Sequence, residues 1–268
     1  MSTATTPSAG TSTSTPTGDH ATVSWSADPY VHALRTGRGP LFLRRSDGWL
    51  LPLDVERWCA GADAADELAL RHCEGTVLDI GCGPGRLVAA LAASGRRALG
   101  IDVSEAAVAR TRRLGGSALR RDVFDSLPGE GRWGTALLLD GNVGIGGDPH
   151  ALLVRAAELL APGGLLIAET APLDVDERVR VRIDDGRGRE GRLFAWARLG
   201  TAALLGHALP LGWHPVDQWE ADGRPFVALR RPHHVRTAGP SPDIANRQTV
   251  TASQRSRNTS ADSPVDLS

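Results

Sequence analysis

The chain has 268 residues and a formal net charge of −1, with 31 acidic residues against 30 basic ones. That balance gives no surface field of one sign, which argues against nucleic acid or an anionic membrane as the main partner. Every basic residue is arginine, so chemistry through a lysine Schiff base is excluded. Cys59, Cys73 and Cys82 are an odd number without CxxC spacing, which suggests neither a disulfide framework nor a zinc site and fits a reducing cytoplasm. The start lacks a signal-peptide pattern, and no run reaches the roughly eighteen apolar residues of a spanning helix, so a soluble cytoplasmic protein is expected.

Residues 1–27 are rich in Ser, Thr, Pro, Ala and Gly, and residues 232–268 are again polar. Neither segment offers enough apolar surface to offset its ordering entropy, and both read as disordered tails. Residues 28–72 read as an N-terminal segment with a hairpin and a helix. Leu41 to Arg45 and Trp49 to Leu53 are two short strands around Ser46-Asp47-Gly48, where Asp-Gly favours a tight turn. This hairpin is either a lid over a ligand or an edge that only packs. Asp63 to His72 follows as a short amphipathic helix.

Thr76 to Arg86 organises what comes next. Val77 to Ile80 is an apolar run suited to a parallel strand buried on both faces, interrupted by Asp79. Gly81, Gly83 and Gly85 permit a sharp turn with close backbone approach to a ligand, and Pro84 suits the first position of a helix running to Ala93. A dinucleotide fingerprint would need glycine where Arg86 stands. Arg97 to Asp102 is a second strand. Ser104 caps the helix after it, with Glu105 at its positive end and Arg110, Arg112 and Arg113 in its last turn. Ala118 to Asp122 is a third strand and Trp133 to Asp140 a fourth, continued by the loop Gly141 to Gly147. Asp148 caps a helix with Pro149 at its first position, Pro162-Gly163-Gly164 ends it, and Leu165 to Glu169 is a fifth strand. Beyond Pro172, Arg178 to Asp184 and Arg192 to Ala197 read as an inserted hairpin, residues 178–197. Its arginines, Arg180, Arg182, Arg187, Arg189 and Arg192, either grip an anionic acceptor or form a solvated face. Leu199 to Leu209 is a helix, and Trp213 to Glu220 pairs with Pro225 to Arg230.

Asp79, Asp102, Asp122, Asp140 and Glu169 thus end five successive strands. Ligands of open α/β sheets sit outside the carboxyl ends of the strands, so these acids would line one crevice and favour a cation over a pyrophosphate.

The joined strand, acid, glycine turn and helix start resemble the opening motif of class I S-adenosylmethionine-dependent methyltransferases, and the LLxPGG transition at Leu159 to Gly164 is similar to theirs. The likeness runs from Gly75 to Arg231, strongest as far as Glu169. It implies an α/β fold: a three-layer, Rossmann-like, seven-stranded, mostly parallel sheet with a closing antiparallel hairpin, occupying residues 73–231. It also implies S-adenosyl-L-methionine as cofactor. Asp79, Gly81, Gly83 and Gly85 would cradle its methionine part and Asp102 would hold the ribose. Val103, Asp122 and Val123 would take the adenine, and Asp140, Gly141 and Asn142 would lie under the amino-acid end.

Asp140-Gly141-Asn142 departs from the Pro-Pro-aromatic signature of base-amino methyltransferases, which favours a small-molecule acceptor over nucleic acid. His150, His207 and His214 are the candidate general bases by position. The alternatives are a cofactor-binding protein without turnover, transfer of another group of the same cofactor, and, least supported, nicotinamide chemistry.

Overall fold

The structure is a computed structural model and describes Trp25 and residues 29–231. Both stretches read as tails lie outside the described residues, apart from Trp25.

The central element is β3 (Val77–Ile80), whose four residues are all buried. It lies between β4 (Ala98–Asp102) and β6 (Trp133–Leu138), parallel to both. The full order is β10-β11-β7-β6-β3-β4-β5, with β5 at Ala118–Arg120, β7 at Leu160–Glu169, β10 at His214–Ala221 and β11 at Arg224–Arg230. Strands β3 to β7 run parallel, while β11 is antiparallel to β7 and β10 antiparallel to β11. The expected seven-stranded sheet and closing hairpin are therefore present. From β3 the chain proceeds outward through β4 and β5, then returns to the other side of β3 with β6 and β7. This reversal places a topological switch point between β3 and β6, where open α/β sheets bind ligands.

Alternation along the strands builds the two faces. Leu78, Ile80, Ala136, Leu138, Leu166 and Val227 pack with Leu152 and Ala156 of α6 (Pro149–Leu159) and Leu204 of α7 (Thr201–Ala208). Val77, Leu137, Leu139, Ile167 and Phe226 pack with Ala69 and Leu70 of α3 (Ala64–Arg71) and Leu87 and Leu91 of α4 (Arg86–Ala93). Helix caps follow the sequence signals: Ser104 accepts from the Ala107 N–H at the start of α5 (Glu105–Arg113), and Asp148 accepts from the His150 and Ala151 N–H groups.

Some boundaries differ from expectation. Pro84 is not the first residue of α4. Gly83 and Gly85 have φ of +53° and +90°, so the chain is still turning there and helical geometry starts only at Arg86. The third strand ends at Arg120, leaving Asp122 two residues beyond it in a turn. The fourth ends at Leu138.

The two hairpins expected as separate pieces form one sheet, ordered β2-β1-β8-β9, from β1 (Phe42–Arg45), β2 (Leu50–Pro52), β8 (Asp176–Asp184) and β9 (Phe194–Leu199). β1 pairs antiparallel with β8 through Leu43↔Ile183. An isolated two-stranded hairpin is marginal in water. Joining them buries Leu43, Val181, Ile183, Phe194 and Trp196 with Leu34 of α1 (Tyr30–Thr36) and Val55 of α2 (Val55–Cys59). No helix among the described residues is long and apolar enough to cross a membrane.

Candidate functional site

The glycine turn begins with the Gly81 and Cys82 N–H groups both donating to the Ile101 carbonyl at 2.9 Å, which ties the end of β3 to β4. Part of the glycine requirement comes from the protein itself. A Cβ at Gly85 would stand 2.3 Å from Thr111 Oγ1, and one at Gly81 would stand 2.6 Å from Asn142 Nδ2. Asn142 explains the second clash: its amide donates to the Ile80 and Gly81 carbonyls, both at 2.9 Å, and clamps the loop after β6 onto the turn.

Above this turn opens a cavity of about 870 Å³, walled by the carboxyl ends of β3, β4, β6 and β7, the loop after β5, α2 and the second sheet. Of the residues singled out in the sequence, Gly81, Gly83, Asp102, Val103, Asp122, Val123, Asp140, Gly141 and Asn142 all line it. Asp79 and Gly85 do not. Asp79 is 2 % exposed beneath the turn with no partner on Oδ2, and burial pushes its carboxyl up to about 7 although Arg86 pulls the other way.

Asp102 is held by backbone alone. Its Oδ2 accepts the Gly83 N–H at 2.9 Å and Oδ1 the Ser104 N–H at 2.7 Å. Burial raises it to about 6, and those two N–H groups limit the rise. Asp140 is held quite differently. Arg86, 5 % exposed and standing where a dinucleotide site has glycine, donates from Nη1 to Asp140 Oδ2 at 2.6 Å and from Nη2 to Oδ1 at 3.0 Å. The same guanidinium grips Asp66 at 2.7 and 2.9 Å. Arg57 adds a third donor to Asp140 at 2.7 Å. Arg224 makes a two-pronged pair with Glu169 at 3.0 and 2.8 Å and reaches Asp66 at 3.0 Å. Burial alone would raise Asp140, but Arg86, Arg57 and Arg224 hold it below the usual carboxylate range. Asp140 is also one of two non-glycine residues with positive φ among the described residues, at +58°.

The expectation that all five acids line one crevice is thus corrected. Asp102, Asp122, Asp140 and Glu169 share the cavity, but Asp140 and Glu169 are neutralised by arginines and Asp79 lies below it. The candidate bases stand apart. His150 is exposed at the start of α6, His214 is exposed at the start of β10, and His207 pairs with Asp176 at 3.0 Å. None of the three lines the cavity. The hairpin arginines are occupied locally or exposed: Arg182 pairs with Glu190 at 2.5 Å, and Arg180 donates to the Leu193 carbonyl. None of the five lines the cavity.

Sequence reasoning missed Tyr30, Arg57, Trp58, Arg86 and Trp196 as cavity residues. Tyr30, the only tyrosine, is 3 % exposed, with its hydroxyl 3.7 Å from where a Gly83 Cβ would lie. Burial and then the Asp102 carboxylate raise it well above the usual phenol range. Arg86 carried a usable signal, since a charged residue directly after a buried glycine turn needs a buried partner.

Residues 56–202 match the family described as Methyltransferase domain. Among curated proteins, no sequence matches. Among solved structures, a SAM-dependent methyltransferase from Bacteroides fragilis in complex with S-adenosyl-L-homocysteine is similar at 20 % identity and a TM-score of 0.64, covering 81 % of this chain and 97 % of that one. The 1,6-didemethyltoxoflavin-N1-methyltransferase of Burkholderia thailandensis has 20 % identity and a TM-score of 0.46 over 63 % of this chain and 76 % of its own. The sugar N-methyltransferase KedS8 from Streptoalloteichus has 18 % identity and a TM-score of 0.46 over 63 % and 84 %. The last two likenesses are too low to bear on function. The fold is that of the class I methyltransferases, and the family match spans more than half of the sequence: the chain belongs to the methyltransferase-domain family.

Proposed function

We propose that this chain transfers a methyl group from S-adenosyl-L-methionine to a small-molecule acceptor. The observation that carries the reading is the convergence of nine sequence-identified residues on one cavity at the sheet's switch point. The donor set fits the cofactor: a buried carboxylate at Asp102 suits two ribose hydroxyls, Val103 and Val123 offer apolar contact to adenine, and the bare turn at Gly81 and Gly83 admits a ligand close to the backbone. Asp122 would take the exocyclic amine, and Asp140, Gly141 and Asn142 form the floor under the amino-acid end. Asp79 and Gly85 support the turn from below.

The bound cofactor supplies a methyl carbon already activated by its sulfonium. What the protein's residues contribute is alignment and exclusion of water, which are worth several kcal/mol when donor and acceptor are held in line. Asn142 and the Asp140–Arg86–Asp66 network fix the turn so that it needs little reorganisation. Among the described residues no imidazole lines the cavity, which suits an acceptor that is already nucleophilic. The same observation favours a second reading, cofactor binding without turnover.

Titration calorimetry with S-adenosylhomocysteine tests the cofactor assignment, with one-to-one binding expected and no heat with NADH. Absence of S-adenosylhomocysteine binding would overturn it. Product mass after incubation with S-adenosylmethionine and an acceptor panel separates methyl transfer from transfer of a larger group.

A further inference from the structure

The cofactor-binding residues just assigned come from the ends of β3, β4 and β6 and the loop after β5. They leave the opposite half of the cavity, between the end of β7, α2 and the second sheet, for the acceptor. We infer that the acceptor is a neutral, largely apolar molecule carrying a planar ring, held there by carbon surface and not by charge; the inference rests on the methyltransferase reading above.

Leu51, Leu53, Trp58, Pro172, Trp196 and Leu199 line this half. Trp196 is 7 % exposed and braced edge-on by Phe194 at 6.0 Å and by Trp25, tilted at 46°, at 5.8 Å. A fixed indole presents a ready face or edge to another ring without loss of its own freedom. The charges bordering this half are already paired with opposite charges, while Arg57 Nη1 and Trp58 Nε1 are buried without a hydrogen-bond partner and are free to donate to a neutral oxygen. Both Glu169 oxygens are taken by Arg224. Arg57 is shared between Asp140 at 2.7 Å and Asp54 at 3.4 Å. Asp54 also accepts the Arg57 N–H at the start of α2. Arg198 donates to Glu177 at 2.9 Å and lies over the Trp49 ring at 4.8 Å. The Thr170 hydroxyl is paired with that of Thr201 at 2.9 Å. A charged acceptor entering here would lose its hydration and disturb one of these pairs, a cost of several kcal/mol that the two free N–H donors offset only in part, because Asp140, Asp54 and Asp63 already compensate the Arg57 charge. A neutral ring needs only the apolar wall. At about 870 Å³ the whole cavity exceeds the middle of the range for one small ligand, which leaves room for an acceptor beside the cofactor.

The test uses the full chain saturated with S-adenosylhomocysteine and the neutral fluorophore N-phenyl-1-naphthylamine, with 1-naphthol and 1-naphthoate as competitors. The expected result is a saturable fluorescence rise, displaced by 1-naphthol roughly tenfold or more better than by 1-naphthoate, a gap of about 1.4 kcal/mol. Leu51→Arg should weaken the fluorophore by a similar factor while leaving S-adenosylhomocysteine affinity unchanged. If circular dichroism shows that variant unfolded, Pro172→Arg, at an exposed position of the wall, carries the same expectation. Equal or better displacement by 1-naphthoate, or fluorophore binding untouched by a folded wall variant, would overturn the assignment of acceptor class alone. Failure of S-adenosylhomocysteine to bind would instead overturn the cofactor reading and this inference with it.

Discussion

Asp102 and Asp140 occupy matching places, at or just past the ends of β4 and β6, and face the same cavity, yet their surroundings are opposite. Asp102 meets two backbone N–H groups and no arginine, and burial lifts its carboxyl to about 6. Asp140 meets Arg86, Arg57 and Arg224 and is held low. A carboxylate at a strand end is therefore not one kind of feature. The β4 side keeps acceptor capacity for a ligand, whereas the β6 side spends its charge inside the protein to hold the floor rigid.

The comparison breaks most visibly at Arg86. Replacing it with Met leaves Asp66, whose side chain is fully buried, and Asp140 without their main partner. Removing one member of a buried pair typically costs about 3 to 5 kcal/mol. Urea denaturation of Arg86→Met should show a loss of that size, and a loss under about 1 kcal/mol would mean the network is not a structural brace.

Asp102→Ala is the counterpart. It should weaken S-adenosylhomocysteine by about 1.5 to 3 kcal/mol, because hydrogen bonds to a charged acceptor are lost. Calorimetry giving unchanged affinity would remove Asp102 from the cofactor site. Asn142→Ala should have a smaller effect than either, since its amide clamps the turn without holding charge. Loss of its two bonds should cost about 1 to 2 kcal/mol of thermal stability, read by calorimetric melting. No change in melting temperature would contradict the clamp.

A further effect is on stability against pH. Both Asp102 and Asp79 have folded values, about 6 and about 7, above the usual carboxylate value, so the folded state holds their protons more tightly than the unfolded chain does. Their contribution is fully present below the unfolded value and declines as pH rises from about 4 to about 7, then levels off. Asp102→Asn should flatten part of that decline in denaturation midpoints measured across this window.

Much of the architecture was legible in the residues. Alternating apolar positions, glycine turns and caps at Ser104 and Asp148 all act within a few neighbours, and they located the parallel strands and the cavity's Gly81, Gly83 and Asp102. What escaped depends on pairing over long separations. Nothing near Leu43 announces Ile183 as its strand partner, and nothing near Glu169 announces Arg224. Reading five acids as an open negative rim failed for this reason, because the arginines that neutralise two of them arrive from α2, α4 and β11. The histidines misled in a related way: distance along the chain from the fourth strand said nothing of which way α6, α7 and β10 would turn them.

The most direct test is S-adenosylhomocysteine calorimetry at pH 7.5 and pH 5 on the native chain and Asp102→Asn. With a carboxyl near 6 accepting from the ribose, native affinity should fall by roughly tenfold at the lower pH, while the Asn variant should be weak at both and nearly flat. Equal affinities for the two proteins at both pH values would contradict the account.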